Sequence, residues 1–223
     1  MDYIRPEGSE MLDMSSSIYM PKRDDTKAAA NVLAEAFIDY PLYVYTLPNA
    51  ATRLRSLQTI FEVEITYAHK YGRIYATSPN LEGVMYCLPK EERRISNWKM
   101  VKSGAMKVPL KIGRDFVKRQ APITKVHEKL RAKHANFPHT YLWNIGVKPE
   151  YQHNKCSSQL IQYLLSDLSE RNESCYLETA VEINVSIYQH FGFEIMETVG
   201  FPDLNYTVWA MLWRNTRDKL NRK

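Results

Sequence analysis

The spacing of apolar residues changes period several times along the chain. Over residues 24–38, Ala28, Val32, Leu33, Ala36 and Phe37 recur at helical spacing behind a capping aspartate, Asp24 or Asp25, which predicts a helix. A second helical run, with Leu54, Leu57, Ile60, Phe61, Ile65 and Ala68, predicts one helix or a broken pair from Ala50 to Lys70. Between the two runs, "DYPLYVYTLPN" is aromatic and interrupted by two prolines, so a shaped loop is expected. The short β-prone "SSIYM", stopped by Pro21, predicts a first strand at 16–20. "YGRIYATS" and "LEGVMYCLP" read as two strands joined by the turn signal "SPN", a hairpin that ends at Pro89.

The last ninety or so residues are the most regular. "HTYLWNIGV" predicts a strand that ends at Lys148-Pro149. A helix follows from Ser157 to Arg171, with Leu160, Ile161, Leu164, Leu165 and Leu168 on one side. "SCYLETAV" predicts a strand, and "NVSIYQHF" a short helix closed by Gly192, the residue type that most readily forms a left-handed C-terminal cap. "GFEIMETVGF" and "LNYTVWAMLW" alternate and pair as a hairpin. The order β-α-β-α-β-β makes a mixed α/β sheet the natural fold.

Between the first hairpin and this orderly third lies a different kind of sequence. Residues 90–134 hold 14 Lys and Arg against 4 Asp and Glu, so they carry +10 within a chain of net charge +5. Helical spacing punctuated by Gly104, Pro109 and Pro122 predicts two or three helices inserted between strands, here bounded at 90–135. Such charge asymmetry points either to a solvated helical face or to a polyanionic partner such as DNA or RNA. The segment lacks the interleaved aromatics of a single-strand platform, Trp98 and Phe116 standing nearly alone, so nucleic acid is not expected. The same helices could instead cover a cleft.

With 223 residues and 44% hydrophobic content, the chain can fill one core carrying an insertion. A single domain is expected over 15–215, between tails at 1–14 and 216–223. No apolar run approaches the ~20 residues that a membrane span needs, so no membrane partner is expected. The N-terminus has acids and no apolar core of a secretory signal. Cys87, Cys156 and Cys175 form no CxxC pair, which argues against a disulfide framework or a structural metal and for a cytoplasmic setting.

The loop "VKPEYQHNKCSSQ" joins a strand to a helix N-terminus, where unpaired amides and the helix dipole attract anions. Gln152, His153, Asn154, Lys155, Ser157 and Ser158 can add side-chain donors. Cys156 admits another reading, because a thiol at a helix N-terminus can be acidified into a nucleophile. A cysteine hydrolase would also need an oriented histidine and an oxyanion hole, and nothing beyond the nearby His153 signals them.

"VKPEYQHNKCSSQLIQYLL" resembles the acyl-CoA loop of the GCN5-related N-acetyltransferases, the GNAT superfamily, whose pattern is V-x-P-x-x-[QR]-x-x-G-x-[GA]-x-x-L. Val147, Pro149, Gln152 and Leu160 match it. Asn184, Tyr188, Gly192 and Phe193 then follow in the family's order, while "YLETA" and "AEAFIDYPL" are similar to the puromycin-acetyltransferase-like branch. The loop is degenerate: the two small family positions hold Lys155 and Ser157. A non-glycine residue in a left-handed conformation costs ~1–2 kcal/mol, which a lysine ammonium beside a phosphate could offset.

The resemblance implies a GNAT-like mixed, largely antiparallel central sheet flanked by helices, with the basic helical insertion added. It implies direct transfer of acetyl from acetyl-CoA, as co-substrate and with no metal, to the amine of a small molecule. The strands around 141–147 and 176–181 should splay apart, with pantetheine pairing to backbone near Ile145 and Val147 and the diphosphate resting on residues 152–158, Cys156 included. Tyr188 matches the tyrosine that protonates the departing thiolate. Asn184 would bridge loop backbone to the cofactor, or serve as a helix N-cap. Glu178 is the candidate base, with His139 a poorer one, and Tyr40, Tyr43, Tyr45 and Trp143 could line the acceptor pocket. A monomer or homodimer is expected. The alternatives are a CoA-binding relative that has lost catalysis and, further off, the nucleic-acid-binding protein weighed above.

Overall fold

A computed structural model describes residues 18–92, 95–201 and 206–215. The tails expected at 1–14 and 216–223 lie outside that range. Six strands form one sheet in the order β1-β2-β3-β4-β6-β5. They are β1 (Arg73–Ala76), β2 (Gly83–Leu88), β3 (His139–Val147), β4 (Ser174–Thr179), β5 (Glu194–Phe201) and β6 (Tyr206–Trp213). Every pairing is antiparallel except that of β3 with β4. The expected mixed, largely antiparallel sheet is borne out.

The helices cover both faces. On one face lie α1 (Thr26–Ala36), α2 (Pro41–Thr46), α3 (Ala50–Tyr71) and α6 (Arg114–His134), packed over a core that includes Leu33, Leu57, Phe61, Tyr86, Tyr141 and Tyr176. On the other, α7 (Cys156–Glu170) and α8 (Glu182–His190) pack over Leu142, Leu164, Cys175, Leu177 and Met211. Strand alternation sorts these sets, so neighbours Tyr176 and Leu177 belong to opposite cores. The insertion between β2 and β3 holds α4 (Asn97–Lys102), α5 (Lys107–Lys111) and α6, three helices in the basic segment.

Several local expectations need correction. The strand placed at 16–20 is, among the described residues, a single bridge from Tyr19 to Ala76. The second helical run is one unbroken helix, α3. The aromatic stretch read as a loop contains α2, which Pro41 starts at its first position, where a missing N–H costs nothing. The buried Arg53 holds α2 in place. Its guanidinium donates to the carbonyls of Leu47 at 2.9 Å, Ile38 at 3.3 Å and Pro48 at 3.4 Å, tying together both ends of the α2 segment. An arginine buried this way satisfies carbonyls that the tight turns would otherwise leave orphaned.

Candidate active site

Strands β3 and β4 pair in parallel only at His139–Ser174, Thr140–Cys175 and Tyr141–Tyr176. Beyond that last pair, β3 continues beside β2 as far as Val147 and β4 beside β6 as far as Thr179. The two strands therefore diverge, and the edges that face each other across the gap need hydrogen-bond partners. Ile145 and Val147 lie on the diverging part of β3 and Glu178 on that of β4.

The loop after β3 ends in α7. His153 has φ 67° and Lys155 φ 60°, both in the left-handed region that favours glycine. Lys155 is the N-cap of α7 and makes no side-chain capping bond. The amides of Cys156, Ser157 and Ser158 open the helix, where no intrahelical acceptor exists for them, whereas Gln159 is the first to bond back, to the Lys155 carbonyl at 2.9 Å. Residues 151–155 are exposed, and Gln152, His153, Asn154 and Lys155 are thus open to solvent beside these amides.

Cys156 behaves opposite to the nucleophile reading. Its thiol is pushed up rather than down, by burial first and then by the charge of Glu82, and its Sγ lies 3.9 Å from the Asn154 carbonyl. Desolvation outweighs the helix terminus here.

Tyr188 sits in the last turn of α8, where Gly192 at φ 86° closes the helix. The Gly192 amide bonds to the Gln189 carbonyl at 2.9 Å and the Phe193 amide to the Tyr188 carbonyl at 3.1 Å, the bond pair of a Schellman cap. Burial, then the nearby Tyr40 and Cys175, raises the Tyr188 phenol above its ordinary range, so it stays protonated. Asn184 is half-buried in the first turn of α8, not at its N-cap, which is Val181.

On the opposite face of the gap lies a cavity of about 520 Å³. Its walls include Tyr40, Tyr43, Tyr141 and Trp143, but not Tyr45, and the carboxylates of Glu64 and Glu178. The insertion closes it from above through residues such as Phe116, Ile123, His127 and Arg131. The Tyr40 hydroxyl reaches the end of β4 and accepts the Ala180 amide at 2.8 Å. Both Glu178 oxygens are buried, with the Tyr141 and Tyr176 phenols beside them. His139 lies at the far, paired end of β3, with Nδ1 2.7 Å from the Phe137 carbonyl.

Glu64 and Asn144 were not singled out in the sequence. A bulge in β3 explains Asn144. Tyr86 faces Asn144 but Cys87 faces Leu142, so Trp143 is an extra residue. The bulge sends Trp143 and Asn144 to the same face, and both line the cavity. Asn144 Nδ2 donates to the Tyr86 hydroxyl at 2.6 Å and to Glu64 at 3.1 Å, while Tyr86 donates to the same Glu64 oxygen. Burial raises the Glu64 carboxyl to about 7, partly offset by the Tyr86 bond.

The chain is similar to known proteins in sequence and fold. The acetyltransferase (GNAT) domain family matches residues 123–196, which span the splayed strands, the loop and α8. An uncharacterized N-acetyltransferase of Schizosaccharomyces pombe is 24% identical over 180 residues, 78% of this chain and 73% of that protein. The structure described as histone acetyltransferase HPA2 and related acetyltransferase, from Corynebacterium glutamicum, superposes with a TM-score of 0.63 at 17% identity, covering 90% of this chain and 96% of that one. The PaiA N-acetyltransferase of Thermoplasma acidophilum, in complex with coenzyme A, has a TM-score of 0.52 at 14% identity over 88% of this chain and 97% of its own. Residues 123–196 therefore match a GNAT acetyltransferase domain, and the fold of the chain is similar to that of the acetyltransferases it superposes on.

Proposed function

We propose that the protein transfers acetyl from acetyl-CoA to the amine of a small molecule by direct attack. One observation carries this reading: the gap between β3 and β4 has a helix N-terminus with unfilled amides at one end and an aromatic, carboxylate-bearing cavity on one face. The PaiA relative is in complex with coenzyme A, and the donor set here suits the same carrier. The amides of 156–158, flanked by Gln152, His153, Asn154 and Lys155, would hold the diphosphate. The backbone at Ile145 and Val147 would pair with pantetheine, and Asn184 would steady the loop end of the carrier.

An acceptor in the cavity must lose a proton as its nitrogen attacks the thioester carbonyl. Glu178 is the base we assign, because it lies on the diverging part of β4 and is among the residues that line the cavity. As the carbon–sulfur bond breaks, the electron pair leaves with sulfur, and the Tyr188 hydroxyl supplies the proton. Its raised pKa makes it a weak acid but keeps it a donor across the working pH range. A concave cavity of about 520 Å³ has the size of a small-molecule site, which favours a small acceptor.

Calorimetric titration with acetyl-CoA and CoA, followed by thiol release over a panel of amines, tests the reading. Micromolar carrier binding with turnover of a small amine supports it. Tight carrier binding with no turnover on any amine would favour the alternative, a catalytically impaired CoA-binding relative.

A further inference from the structure

Two side chains of opposite charge type in the wall of the cavity make no ion pair among the described residues. Glu178, on β4, has both carboxylate oxygens buried beside the Tyr141 and Tyr176 phenols, with no cation paired to them. Arg131, on α6, is 8% exposed, and its Nη1 is likewise buried without a partner. Its guanidinium lies over the Tyr141 ring at 4.1 Å, and Tyr141 belongs to the last strand pair before the gap. Glu178 is two residues past that pair on β4, about 7 Å further along the same face. The acids nearest Arg131, Glu178 and Glu128, are not within ion-pair distance among the described residues.

A buried charge without a partner is expensive, and two such charges of opposite sign on one cavity leave room for a ligand that carries both complements. Of the other carboxylates in the wall, Glu64 already holds the Tyr86 hydroxyl and the Asn144 amide, and Glu128 is exposed and one helical turn before Arg131. A diamine that met Glu178 would therefore place its second ammonium near the Arg131 guanidinium, even where it reached Glu128. We propose that the acceptor is an aminocarboxylate, whose amino group meets Glu178 and whose carboxylate docks on Arg131. This names the substrate class of the acyl-transfer site and rests on that reading.

Arg131 reaches this position only because the basic insertion folds over the cavity, so the insertion would select the acceptor. A guanidinium–carboxylate pair is charge-assisted and directional, and a site built around it discriminates strongly against analogues that lack the anion.

The test is thiol release from acetyl-CoA by the full chain, with L-amino acids compared against their decarboxylated amines and their carboxamides. At least one amino acid should exceed its amine in kcat/KM by about 100-fold or more. That ratio should collapse towards one in Arg131→Met and recover in part in Arg131→Lys, with thermal melts confirming that each variant folds. If Arg131→Met does not fold, Arg131→Lys carries the test through a higher KM for the acid at unchanged kcat, and an unchanged KM would overturn the proposal. Wild-type preference for the amines, or an acid preference that survives Arg131→Met, would overturn it while leaving acyl transfer intact. Carrier binding with no thiol release on any compound would remove both.

Discussion

The Tyr188 and Phe193 rings meet edge to face, 5.5 Å between centroids at 62°, across the cap that ends α8. The Phe193 amide also bonds to the Tyr188 carbonyl at 3.1 Å. One turn of backbone thus fixes both the position of the phenol and its packing, in the apolar contact that accompanies a Schellman cap. If that phenol serves the leaving thiolate, Tyr188→Phe keeps the ring contact and loses only the proton. Turnover should fall on the order of 100-fold with little change in CoA affinity. Equal activity in both proteins would remove the role.

Lys155 occupies a left-handed position at φ 60°. Lys155→Gly should leave the protein as stable or slightly more so, while Lys155→Val should cost roughly 1–2 kcal/mol, because a β-branched side chain is crowded there. Urea unfolding midpoints of the two variants decide it, and a valine variant as stable as the parent would show that the loop relaxes out of this conformation.

Glu64 links stability to pH. Its folded pKa, about 7, lies above the ordinary 4.5, so the native state keeps a proton that the unfolded chain gives up. Stability from this group is full below pH 4.5, falls as pH rises towards 7 and levels off above it. Glu64→Gln removes that slope. The variant should match the parent near pH 5 and exceed it by roughly 2–3 kcal/mol at pH 8. Urea melts across that range measure the difference, and an unchanged slope would place the proton elsewhere.

Gly146 is where α1 meets the sheet. A Cβ there would lie 2.9 Å from Ala36 Cβ and 3.0 Å from Leu33 Cδ2. The alanine methyl is fixed to the helix backbone, so α1 must move. Gly146→Ala should cost about 1–3 kcal/mol by chemical denaturation. No loss would mean that α1 is less tightly seated than its packing indicates.

Much of this molecule was legible in its sequence. Helical spacing placed α1, α3 and α7, strand-like runs and turn signals placed β2 and β4, and alternation placed the β5–β6 hairpin, because these signals follow from local backbone geometry. The order of Val147, Pro149, Gln152, Asn184, Tyr188 and Gly192 carried the family resemblance, and Gly192 has the positive φ expected of it. The alternative reading of Cys156 as an acidified nucleophile, set aside in the sequence for want of a partner, also fails on burial, which raises the thiol.

What the chain determined by itself was its set of local elements, the loop that opens α7, and the cap that fixes Tyr188. The cavity was decided in three dimensions. Asn144 faces it because β3 carries an extra residue opposite β2, a matter of strand register that no single strand records. Glu64 has its carboxyl raised to about 7 and Arg131 is buried only because helices distant in sequence close over them. Periodicity is a property of neighbours along the chain, whereas desolvation depends on everything packed around a group.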